Sequence, residues 1–290
     1  MGMKINDSLD LLSVFLSGLP GLKAHFIMAA VHADSALHEP MCLFLSMLAI
    51  TEVRVSVSIL PTVMGILWFD ARRVNFDDCL AQMFFIHTFS CMESGVLLTM
   101  SYHRFVAIYN PLCYTAILTL PCIHSMEVGI TLKSVVLMAP LPVLLKQLPY
   151  CHINILSHSY CLHSDLIQLP LSSILGMSIV LATFGLDSLL IVVSYALILY
   201  TVLGFASGEG RKKALNTCVS HICAVLVYYV PMIGVSVMHR VAEHVSPMVH
   251  TLMSNIYLFG PPVLNPIIYS VKTRPIRQGI VSLFCKKESI

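Results

Sequence analysis

The sequence is short of charge. Of its 290 residues only 11% are Asp, Glu, Lys or Arg, where soluble domains carry about 25%. Hydrophobic residues make up 57%, and the mean hydropathy is +0.83. A water-soluble globule of this size cannot cover so much apolar surface with so few charges, which excludes a cytosolic enzyme and a disordered chain. The net charge of +2 is too small for a polyphosphate footprint, so no nucleic-acid partner is expected. There is one Trp, no low-complexity tract and no internal repeat. Catalytic signatures are missing as well: there is no Gly-x-Ser-x-Gly, no His-Glu-x-x-His and no pair of intramembrane aspartates, so the chain does not read as an enzyme. Nor are charges stacked along one helix or discontinuous helices repeated in two related halves, as a channel or transporter would require. The amino terminus lacks the basic region, compact apolar core and small-residue cleavage site of a signal peptide.

Apolar sequence, by contrast, comes in lengths that cross a bilayer, about 20 residues for roughly 30 Å of hydrocarbon. Six stretches qualify: Met41–Leu67, Gln82–Ile108, Ile123–Leu145, Leu171–Leu203, Ala214–Met238 and Val249–Tyr269. The fourth is over-long and includes some loop. The breaks are short and carry turn chemistry, which predicts one all-α membrane bundle over residues 1–290, with 270–290 as a tail. Lys and Arg set its orientation. Arg104, Arg211, Lys212, Lys213, Lys272, Arg274, Arg277, Lys286 and Lys287 fall on one side, against Arg72, Arg73, Lys146 and Arg240 on the other. The carboxyl tail is therefore cytoplasmic, and the loop 146–170 faces outside. Most of the ten cysteines sit in apolar runs as small buried hydrophobes. Cys79, Cys151 and Cys161 lie among polar loop residues on the oxidising side, where pairing is possible.

The first 40 residues conflict with that count. Asn6-Asp7-Ser8 is a glycosylation sequon, usable only if the terminus is lumenal. A lumenal start and a cytoplasmic tail need an odd number of spans. The only further candidate, Leu9–Val31, contains Asp10, Pro20, Gly21 and Lys23, and a central Lys costs about 2.5–3.5 kcal/mol.

Several strings carry a resemblance. Leu37-His38-Glu39-Pro40-Met41 opens the first clear span, and Met100-Ser101-Tyr102-His103-Arg104-Phe105-Val106-Ala107-Ile108 closes the second. Lys213-Ala214-Leu215-Asn216-Thr217-Cys218-Val219-Ser220-His221 opens the fifth, and Pro262-Val263-Leu264-Asn265-Pro266-Ile267-Ile268-Tyr269 closes the last. In this order they resemble an olfactory receptor, a rhodopsin-like G-protein-coupled receptor. His158-Ser159-Tyr160-Cys161-Leu162-His163 and Met238-His239-Arg240 resemble the class I, fish-like branch.

The resemblance implies a seven-transmembrane-type bundle in the plasma membrane, with a small odorant such as a carboxylic acid and the olfactory stimulatory G protein as partners. It implies no cofactor. It implies a disulfide between Cys79 and Cys161, ligand contacts at His87, Ser236 and Arg240, and a switch at Arg104, Asn265, Pro266 and Tyr269. An Arg fork at the rim of a partly dry pocket suits a carboxylate bidentately, and Pro266 frees a helical carbonyl beside two polar side chains. The bland alternatives are a rim cation, a packed imidazole, a snorkelling Arg and a plain kink. Cys151, His152, His158 and His163 crowd the outer loop, but with Cys161 in a disulfide their spacing fits no standard closed metal site.

The chain also departs from the family. Its first helix, about 25 residues with a Gly-Asn pair, and the following inner loop cannot both fit into the sixteen residues Leu22–Leu37. Residues 1–40 thus read as a truncated amino-terminal region. Glu52 replaces an Asp of the family's sodium pocket, Arg54 puts a cation on another face of that helix, and His103 replaces the Asp that precedes Arg104. Two readings result: an odorant receptor, or a receptor-derived chain that does not signal and is retained in the endoplasmic reticulum. Glu93 and Asp187 are further intramembrane acids whose partners the sequence does not name.

Overall fold

The structure, a computed structural model, describes residues 2–5, 40–69, 73–111, 113–147, 155–156, 178–179, 181–204, 208–241 and 247–272. Helix α1 runs Pro40–Phe69 and starts on a proline, the residue whose missing N–H and fixed φ suit the first helical position. Helix α2, Phe76–Tyr109, carries Asp77 and Asp78 in its first turn, where carboxylates complement the helix dipole. A four-residue helix α3, Tyr114–Ile117, leads to α4, Leu120–Met138. Pro140 interrupts the ladder and opens α5, Pro140–Lys146, so α4 and α5 together make one crossing. A π-turn, Leu181–Gly185, precedes α6, Leu186–Leu203. Helices α7, Gly208–Val241, and α8, Pro247–Lys272, complete the bundle.

Five crossings are long and apolar enough for a bilayer: Pro40–Thr62, Phe76–Tyr109, Leu120–Lys146, Leu181–Leu203 and Ala214–Val237. The sixth predicted span lies within α8, which pairs along α7 and also meets α1. The six sequence stretches thus fall on six helical crossings. Residues 171–177 of the fourth lie outside the described residues, and α2 begins before Gln82 because its acidic first turn is helical although it is not apolar.

Helix α2 is the central post, packed on α1, α4, α6 and α7. The main core cluster draws Met, Leu, Ile, Val, Phe and Tyr from α1, α2, α4, α6, α7 and α8, among them Phe44, Leu48, Met100 and Tyr228, and a smaller one joins Ile198 and Val202 of α6 to Cys218 of α7. Helices α4 and α6 turn Val128, Leu132, Val136, Leu189, Val192 and Tyr200 outward, as lipid-facing helices do. Where α2 and α4 cross, a Cβ on Gly95 would sit 2.8 Å from Ile130 Cγ2; the missing side chain is what lets the two backbones approach.

Three short strands lie at the outer end. Strand β1, Gly2–Ile5, pairs antiparallel with β2, Arg73–Asn75, and parallel with β3, Ile155–Leu156. Arg73–Asn75 leads directly into the outer end of α2, so Gly2–Ile5 is also on the outer side. Pro40 is at the inner end. The stretch between, including Asn6 and Leu9–Val31, lies outside the described residues.

Candidate functional site

Three polar layers are stacked along α2. At the outer end, Asn75 Nδ2 donates to Asp78 Oδ2 at 3.0 Å, and the buried Cys79 is disulfide-bonded. Gln82 Nε2 donates to Ser58 O at 3.0 Å and to Thr62 Oγ1 at 2.9 Å. These bonds clasp the outer ends of α1 and α2. His87, half-buried, comes about three turns below the start of α2.

His87, Ser90 and Ser94 are spaced i, i+3, i+7, so they share one face of α2. Tyr228 O–H donates to Ser90 O at 2.6 Å, and Tyr257 O–H donates to Ser90 Oγ at 3.0 Å. Ser94 Oγ donates to Asp187 Oδ2 at 2.9 Å and meets Tyr229 OH at 2.8 Å. Because the only hydroxyl proton of Ser94 goes to Asp187, Tyr229 is the donor to Ser94. On α7 the positions 229, 232, 236 and 240 continue one helical stripe, with Tyr229 and Met232 buried and Ser236 half-buried. The face of α2 that carries His87 therefore meets the face of α7 that carries Ser236, and Arg240 follows one turn further out by register.

Below them lies a buried charge pair. Lys133 Nζ donates to Asp187 Oδ1 at 2.6 Å, with Asp187 only 1% exposed and Lys133 33%. Asp187 thus holds Lys133 on one oxygen and Ser94 on the other. The chain Lys133–Asp187–Ser94–Tyr229 ties α4, α6, α2 and α7 together two residues before Pro231, where α7 lacks a backbone donor.

At about the same depth lie two further acids. Asn265 Nδ2 donates to Glu52 Oε1 at 2.7 Å. Glu93 is buried and has no hydrogen-bond partner for Oε1 among the described residues. The extra methylene of Glu52 is accommodated by this bond to α8.

At the cytoplasmic end His103 Nε2 bonds Tyr114 OH of α3 at 2.5 Å, and Phe44 meets the same imidazole edge-on at 5.7 Å. Tyr195 OH bonds His221 Nδ1, joining α6 to α7. Arg104 is half-buried, and no carboxylate pairs with it among the described residues. His103 has turned to Tyr114 instead.

Of the residues expected to matter, His87 and Ser236 lie on the stripes of α2 and α7 that Ser94 and Tyr229 join, Arg240 lies in the last turn of α7, and Asn265 is buried at 1% exposure. Pro266 and Tyr269 fall in the inner half of α8. The side chains of Arg240, Pro266 and Tyr269 lie outside the described residues, as do Asn6, Cys161 and the outer-loop cysteine and histidines. Among the described residues no three Cys, His, Asp or Glu side chains gather to hold a metal. Sequence reasoning missed Lys133, Ser90, Ser94, Tyr114, Tyr195, Tyr228, Tyr229, His221 and Tyr257 as partners. The i, i+3, i+7 stripe on α2 and a Lys inside the third span were the available signals.

The comparisons with known proteins bear on the whole chain. The family model described as olfactory receptor matches residues 14–287. Human olfactory receptor 51G1 is 47% identical over 98% of this chain and 96% of its own length. Human olfactory receptor 51I2 is 52% identical over 89% of this chain and 84% of its own, and human olfactory receptor 51L1 is 50% identical over the same shares. The alignment with 51G1 runs to 309 positions against 290 residues here, so some of its positions have no counterpart in this chain. Helical crossings, motif order and identity together show that the chain belongs to the olfactory receptor family, as a multi-pass receptor of the plasma membrane that takes odorants and G proteins as partners and is not an enzyme.

Proposed function

We propose that this receptor answers to small carboxylic-acid odorants through the cleft between α2 and α7, and passes the signal to the olfactory stimulatory G protein. The observation that carries the reading is the facing of the two stripes, His87–Ser90–Ser94 on α2 and Tyr229–Met232–Ser236–Arg240 on α7. Arg240 is the charge anchor at the rim. His87 and Ser236 bond the ligand's polar head, and the Ser90–Tyr228–Tyr257 knot closes the cleft below. A carboxylate held there is partly desolvated, so it needs a fixed cation more than it would in water. A Cys79–Cys161 bridge holds the outer loop over this mouth.

Ligand that draws α7 toward α2 acts on Tyr229 and Pro231, and from there on the Tyr195–His221 contact at the inner end. Arg104, Asn265, Pro266 and Tyr269 make up the inner switch. Arg240→Ala should weaken the response to acids by about 2–5 kcal/mol, thirtyfold or more in potency, and leave neutral odorants less affected. A cAMP assay with a panel of acids and matched alcohols tests this, and unchanged acid potency rejects it. A receptor-derived, non-signalling chain is the second reading; the positions of 51G1 that lack a counterpart here favour it, and a chain that is silent to every acid although folded at the surface would decide for it.

A further inference from the structure

The outward face of α1 carries a feature the odorant reading does not use. Glu52, Val55, Ser56 and Ile59 turn inward and are buried, whereas Arg54 and Val57 are exposed on the opposite face. Arg54 Cζ lies 6.0 Å from the centroid of the Phe89 ring. Phe89 stacks on Phe85 at 6.0 Å, and Phe85 is itself 47% exposed. Together Arg54, Val57, Phe85 and Phe89 form a strip along the groove between α1 and α2.

Depth decides what this strip can meet. Arg54 stands thirteen residues from each end of the apolar run Met41–Leu67, or about 20 Å of helix either way. Helical side chains lean toward the helix amino terminus, here inward, and the contact with Phe89 agrees. Gln82 is level with Ser58 and Thr62 through its hydrogen bonds, and Phe89 lies two turns deeper on α2. The guanidinium is therefore near the middle of the roughly 30 Å hydrocarbon layer, out of reach of either headgroup layer.

A guanidinium stays charged there, and a ring face attracts a cation without neutralising it. Among the described residues no carboxylate pairs with Arg54. The acids of the neighbouring spans are engaged elsewhere or buried inside: Glu52 with Asn265, Asp187 with Lys133, Glu127 beside His124, and Glu93 in the bundle interior. A second copy of this chain would present the same cation to the same strip and be repelled. We propose that the strip around Arg54 seats a transmembrane helix of another protein that carries one carboxylate at mid-bilayer depth. A carboxylate offers the bidentate geometry that the guanidinium fork matches, and Val57, Phe85 and Phe89 supply the apolar contact on either side.

The test uses the full chain in cell membranes, with a tagged single-span Leu/Ala helix that carries one central Glu, and resonance energy transfer as the readout. The Glu helix should associate about tenfold more strongly than the same helix with Gln, a modest part of the roughly hundredfold penalty an unpaired central cation carries on insertion scales. Arg54→Leu should erase the difference, and Arg54→Glu should transfer the preference to a helix with a central Lys. Arg54→Leu removes a charge from lipid and is not expected to impair folding; an intact Cys79 disulfide on a non-reducing gel checks that. Equal association of the Glu and Gln helices, or a Glu preference that survives Arg54→Leu, overturns the proposal. So does a signal set by anionic lipid content rather than by the helix, since Arg54 would then be served by drawn-in phosphate.

Discussion

Lys133→Met is the sharpest perturbation of the bundle, because it removes one half of an ion pair and leaves the other in place. Asp187 is 1% exposed, and among the described residues its carboxylate holds Lys133 at 2.6 Å and Ser94 at 2.9 Å. Without Lys133 the charge keeps a single neutral donor. Breaking a buried pair from one side costs about 3–5 kcal/mol, whereas removing both members is often close to neutral. The exposed third of Lys133 faces lipid rather than water, so screening does not reduce the figure. At roughly 2–4 °C per kcal/mol for a chain of this size class, the single variant should melt about 6–20 °C lower. The double variant Lys133→Met/Asp187→Asn should recover most of that loss. The buried cysteines Cys91 and Cys218 supply the assay, because they react with a thiol-sensitive fluorophore only as the bundle opens. If the single variant melts no lower than the double, the pair carries no stabilising charge interaction and the reasoning is wrong.

Three further outcomes follow from the geometry. Gly95→Ala would place a Cβ 2.8 Å from Ile130 Cγ2; overpacking of this kind costs about 1–3 kcal/mol, read as a lower melting point that Gly95→Ala/Ile130→Ala restores. The outer position of Gly2–Ile5 predicts glycosylation at Asn6: Asn6→Gln should run faster on a gel and wild type should shift to the same place after glycosidase, and identical mobility without treatment would refute it. Thiol labelling of the surface protein without reductant should leave both Cys79 and Cys161 unlabelled, and ready labelling of Cys161 would break the pairing assigned to it.

The helices were legible because a bilayer imposes length and hydropathy together, and few soluble sequences meet both. Pro40 and Pro140 fixed two helix boundaries through their missing N–H. One end was misjudged. Phe76–Leu80 is too polar for a span yet helical, since Asp77 and Asp78 favour a helix start. The His87–Ser90–Ser94 face was open to a reading of period 3.6, but the helix it meets was not. Tyr229 lies 135 residues from Ser94 and Lys133 lies 54 from Asp187, and a helical period reports a face without reporting its partner. The intramembrane acids stood out in the sequence as unpaired charges; only packing assigned Lys133 to Asp187 and Asn265 to Glu52.

The same distinction explains the cytoplasmic end. With His103 where the family has an acid, the sequence implies a loose resting state, because a neutral imidazole does not hold Arg104 as a carboxylate would. The bundle compensates at a different place. Tyr114 turns to His103 Nε2 at 2.5 Å, which ties the α2 end to α3, and Tyr195 bonds His221, which ties α6 to α7. Both contacts are between neutral groups, worth about 0.5–1.5 kcal/mol each rather than the 1.5–3 kcal/mol of a hydrogen bond to a charged group. Arg104 is left half-buried without a counter-charge among the described residues, free to engage whatever approaches from the cytoplasm. We propose that the inner gate of this receptor rests, among the described residues, on packing and these two hydrogen bonds, so that its bias between closed and open states is set on α3 and α7 rather than by the residue beside the arginine.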